Sequence, residues 1–114
     1  MLQSGEKLLL AHRRLFERDE PRYFVGSVDV CEGAVIKVTG YSFVRDISSG
    51  GVLRKDDPRT KIVSVSSGAL LVYQLPDQTD VASVRFTMQD GELILTDGAR
   101  LQMNMTELPH CGHI

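Results

Sequence analysis

Two stretches of this chain share one design, and that design predicts a small, strongly bent β structure. The first is YFVGSVDVCEGAVIKV, Tyr23 to Val38. Its even positions up to Cys31 are Phe24, Gly26, Val28 and Val30, an apolar face. The odd positions Tyr23, Val25, Ser27, Asp29 and Cys31 are mixed. Period-two alternation of this kind reads as a strand. Glu32-Gly33 turns the chain into a second strand. The other stretch is KIVSVSSGALLVYQLP, Lys61 to Pro76. It repeats strand, tight turn at Ser67-Gly68, strand, and predicts a second hairpin. Leu70 to Tyr73 is continuously apolar, as in a strand covered on both faces.

The flanking segments fill in the outline. Ser4 suits a helix N-cap and Glu6 suits the positive end of a helix dipole. Leu8, Leu9, Ala11, Leu15 and Phe16 then fall on one arc at helical spacing. The spacing predicts an N-terminal helix stopped by Pro21, with Leu10 on its far side. Gly40 interrupts the β pattern of 34–45 and predicts a sharp bend or bulge. Asp46–Arg59 is rich in glycine, serine and charge and is expected to lack regular structure. Beyond Pro76, Val84, Phe86 and Met88 alternate. Asp90-Gly91 and Asp97-Gly98 are hairpin turn pairs, and Leu101, Met103 and Met105 alternate with Gln102 and Asn104.

Bulk properties exclude several classes. At 114 residues, one domain with a barrel core over 5–76, a β extension over 77–106 and a tail over 107–114 is expected. The net charge of −2 supplies no global attraction to nucleic acid or acidic membrane. Residues 1–22 carry five basic and four acidic groups; the remainder carries eight and eleven. Two cysteines, Cys31 and Cys111, make no disulfide framework, so a reducing cytoplasm is expected. The longest apolar runs, 8–11 and 69–73, are far below the roughly 20 residues of a membrane span.

A helix, five strands with tight turns, and a variable loop before the fourth strand resemble the Sm/LSm family. The family's first motif places a glycine, an apolar residue, an acid and another apolar residue where this chain has Gly26, Val28, Glu32 and Val35. Its second motif matches Ile62–Ser66, Ser67-Gly68, Ala69–Leu75 and Pro76. The resemblance implies a mainly β fold: an N-terminal α-helix, then a bent antiparallel Sm/SH3-like barrel with a C-terminal β extension. It also implies ring assembly through edge strands, with Val63, Val65, Leu70 and Val72 as the self-association edge. The base-binding asparagine and basic residue of the family are replaced by Ile36 and Ser67. Neither can supply the lost contacts to a base.

The expected function is a homo-oligomeric binding module with RNA as a candidate ligand, held by Arg13, Arg14, Arg54 and Lys55. The alternative is a structural protein whose self-association is its function. No catalytic residues, metal or cofactor are expected. His12 on the apolar arc reads as a packed histidine, and no second histidine outside the tail completes a nucleophilic triad. His110, Cys111 and His113 offer soft ligands at short spacing, but the run is terminal. Asp29 and Glu32 read as solvent-facing carboxylates. The loop charges Asp56, Asp57, Arg54, Lys55, Arg59 and Lys61 read either as a solvated loop or as a recognition loop.

Overall fold

The computed structural model describes residues 2–12, 22–45, 51–66, 68–99 and 101–105. The first element corrects the sequence expectation. Lys7–His12 is not helical; it is a strand, β1, and no α-helix occurs among the described residues. The reason lies in the run Leu8-Leu9-Leu10-Ala11, all four buried. A helix would expose one side of such a run, whereas a central strand buries both. β1 pairs antiparallel with β2 (Arg22–Glu32) on one side and with β6 (Leu70–Gln74) on the other. The rest of the expected helix, 13–21, lies outside the described residues.

β2 turns through Gly33, at φ +62, into β3 (Val35–Arg45). The two strands stay paired along almost their whole length, with one register shift between Val28 and Val30 that leaves Asp29 as the extra residue. The bulge therefore sits at Asp29, not at Gly40. Gly40 instead lies directly opposite Gly26, where the backbones approach too closely for a side chain. β3 also changes partner just beyond it. Val35–Gly40 pairs with β5 (Arg59–Ser64), and Phe43–Arg45 pairs with β4 (Val52–Arg54). β4 also supplies regular structure inside a segment expected to have none.

The resulting order is β4-β3-β2-β1-β6, with β5 on β3 beside β4. β5 and β6 are thus consecutive in sequence but not a hairpin, contrary to expectation. Each joins a different edge of the same six-stranded sheet. Among the described residues no ladder joins β6 to β4 or β5, so the expected closed barrel is absent as well. The sheet is open.

The C-terminal third forms a second, three-stranded sheet of β7 (Arg85–Gln89), β8 (Glu92–Thr96) and β9 (Gln102–Asn104). Asp90 and Gly91, both at positive φ, make the tight turn predicted between β7 and β8. The connection to β9 is held by the buried carboxylate of Asp97. It accepts from the backbone N–H of Asp80 at 3.0 Å, Ala99 at 2.9 Å and Leu101 at 3.0 Å.

Alternation along the central strands splits the core in two. Leu9, Ala11, Tyr23, Val25 and Phe43 face the second sheet and pack with Val84, Phe86, Leu95 and Leu101. Leu8, Leu10, Phe24, Val28, Ile36 and Val38 form a cluster on the opposite face, joined by Val63, Val65 and Val72. At roughly 1.5–3 kcal/mol per large buried side chain, both faces contribute substantially to stability.

Candidate functional site

The opposite face changes character at one end of the sheet. On β1, Leu8 and Leu10 are followed at the same period by His12. On β2, Val28 and Phe24 share their face with Arg22; on β5, Val63 shares its face with Lys61 and Arg59. Each strand thus runs from apolar to basic along one face. These strand ends, with Lys55 after β4, surround a cavity of about 430 Å³. Its lining is His12, Arg22, Tyr23, Ser42, Phe43, Val44, Lys55, Arg59 and Lys61. Among the described residues no carboxylate contributes.

The ladder explains the convergence. Arg22 pairs with Val44, Arg59 with Gly40, and Lys61 with Val38, so distant segments are brought to one end of β3. Lys55 follows β4 and donates its backbone N–H to the Ser42 carbonyl at 2.8 Å. Lys61 is partly buried, with its ammonium 4.8 Å from the centre of the Phe24 ring. Such a contact offsets part of the cost of taking the charge out of water. Burial, then the nearby positive charges of Arg59 and Arg22, hold Lys61 below the ordinary lysine range. Burial, then Lys61 and Arg22, likewise hold His12 below its usual value. These groups repel one another, and an anion placed among them relieves that repulsion.

The residues expected to bind nucleic acid separate into three groups. Lys55 lines the cavity. Arg54 is instead tied to the protein: its guanidinium lies 4.8 Å over the Tyr41 ring, donates to the Ala82 carbonyl and stands 3.9 Å from Asp56. Arg13 and Arg14 lie outside the described residues, as does the 110–113 tail. His12 is not packed in a core but exposed at the cavity. Asp29 accepts from the Thr39 hydroxyl at 2.5 Å, and that hydroxyl lies 2.9 Å from the Thr60 hydroxyl. Cys31 donates weakly to the Gly33 carbonyl at 3.8 Å. Among the described residues no cluster of histidine, cysteine and carboxylate could hold a metal ion.

Of the expected self-association edge, Val63, Val65 and Val72 pack against the apolar cluster and Leu70 is half-buried. The outward apolar side chains are others: Ile62, 72% exposed, on β5, and Leu71 and Tyr73 on β6. Sequence reasoning groups Lys55, Arg59 and Lys61 as loop charges but misses that His12 and Arg22 join them. Their signal was present, as a basic residue ending each apolar alternation, but it appears only once Lys7–His12 is taken as a strand.

No family model, curated protein or solved structure matches this chain.

Proposed function

We propose that this chain is a non-enzymatic binding module that holds RNA through phosphate charge. The observation that carries this is the convergence of Arg22, Lys55, Arg59, Lys61 and His12 on one cavity, with no acid among its described lining residues. Arginine and lysine together supply both forked and point-charge donors to phosphate oxygens. The modest net charge of the chain does not oppose it, because the local cluster sets the field at the cavity. The test is a filter-binding titration with short RNA at several salt concentrations. Each phosphate neutralised adds about −0.7 to the slope of log affinity on log salt. Absence of binding at low salt rejects the proposal.

A second reading is self-association. It is favoured by two strand edges, β5 and β6, that lack a further partner among the described residues and carry Ile62, Leu71 and Tyr73 outward. Such edges invite pairing with another copy. Light scattering across a range of concentrations tests it, and a monomer throughout removes it.

A further inference from the structure

Resting on the RNA reading, we propose that the cavity takes a terminal phosphate of the RNA, a phosphomonoester, in preference to an internal phosphodiester. The arrangement of the cations carries this. Proteins that track a running single strand place their positive groups along a groove. Here Arg22, Lys55, Arg59, Lys61 and His12 surround one hollow, while the rings of Tyr23 and Phe43 are turned to the second sheet. A volume of about 430 Å³, near the lower end for small-molecule pockets, admits a terminal nucleotide with its phosphate.

Charge argues the same way. An internal phosphodiester brings one negative charge, whereas a phosphomonoester brings about −1.5 to −2 at neutral pH and three acceptor oxygens. Four fixed cations and a histidine match the second better. Base recognition does not compete with this assignment. Tyr23 and Phe43 are buried and engaged with Phe86, at ring-centre distances of 4.9 and 5.1 Å. Neither presents a free face on which a base could stack. The site therefore reads the phosphate end and tolerates any sequence behind it.

The experiment uses the full chain and one RNA sequence prepared with a 5′-phosphate, with a 3′-phosphate, or with hydroxyls at both ends, followed by fluorescence anisotropy. Binding at least tenfold tighter for a phosphate-ended RNA supports the proposal. Equal affinity for all three overturns it while leaving RNA binding intact; binding of none overturns the RNA reading itself. Adenosine 5′-monophosphate should displace the phosphate-ended RNA and adenosine should not; equal displacement by both overturns the assignment. A mononucleotide that binds as tightly as the RNA overturns the RNA end as the source. A phosphoserine peptide that binds more tightly than the RNA overturns it in favour of a protein ligand. Arg59→Gln, at an exposed position, should reduce the tenfold preference to less than threefold, and Lys61→Gln should do the same. Retention of the preference in both variants overturns the role assigned to this cavity.

Discussion

Gly40 lies directly across the β2–β3 ladder from Gly26, and a side chain on Gly40 would occupy the space of the Val25 carbonyl and the Gly26 Cα. Both obstacles are backbone atoms, which cannot turn aside as a side chain would. Just beyond this pair β3 exchanges β5 for β4, and the next residues of β3, Ser42, Phe43 and Val44, line the cavity.

Gly40→Ala should therefore destabilise the protein by about 2–3 kcal/mol, the upper range for overpacking. Gly33→Ala serves as the control, since its turn position at φ +62 has nothing within 4 Å of a new Cβ. That change should cost only about 1 kcal/mol of backbone strain. Urea unfolding compares them, and equal losses would contradict the close approach.

Asp97 should be intolerant of replacement. Its buried carboxylate accepts three backbone N–H groups that alanine would leave without that acceptor. Asp97→Ala is expected to cost about 3 kcal/mol. A loss under 1 kcal/mol in thermal or urea unfolding would mean that the loop finds another arrangement.

Arg54 and Lys55 are neighbours with opposite expected phenotypes. Arg54→Ala removes the contacts to Tyr41 and the Ala82 carbonyl and should lower stability by about 1–2 kcal/mol. Lys55→Ala removes a cavity cation, should leave stability within about 0.5 kcal/mol, and should lower the RNA salt slope by about 0.7. Measuring unfolding and RNA affinity on both variants checks the separation; matching losses of affinity would undo it.

His12 should make stability depend on pH. Its folded-state pKa lies below the ordinary 6.5, so the unfolded chain takes up the proton first as the pH falls. Unfolding is then accompanied by proton uptake, and stability rises with pH across that window. The contribution is whole above the ordinary value and is lost as the pH falls from 6.5 towards the folded value. The sign for Lys61 is the same, from 10.5 downwards. The urea midpoint should drop between pH 7.5 and pH 5.5, and by less in His12→Gln. An identical drop in both proteins would assign the effect to other groups.

The parts of the fold legible in the sequence were those fixed by local chemistry. Alternation along Tyr23–Cys31 marks a strand, but its faces are not as expected: Tyr23 and Val25 on the mixed face are buried as well, and Val30, past the bulge at Asp29, is exposed. The Asp90-Gly91 pair marked a tight turn because both residues tolerate positive φ. What failed was decided at a distance. Four consecutive apolar residues at 8–11 fit a helix arc and a doubly covered strand equally well. Only the neighbours β2 and β6 settle which one forms. The turn signal at Ser67-Gly68 likewise marks a change of direction without naming partners, and β1 takes β6 away from β5. Because the sequence pattern places His12 on a helix arc, it does not reveal the face that His12 shares with Leu8 and Leu10, nor the basic cavity at its end.

The five basic groups of the cavity come from sequence positions 12, 22, 55, 59 and 61 and meet only through the sheet. An unfolded chain scatters them, so whatever anion they hold is a ligand of the native state alone. At a hundred times its dissociation constant such a ligand adds about 2.7 kcal/mol of stability. The melting temperature of this protein in a cell would then report how much of its partner is present.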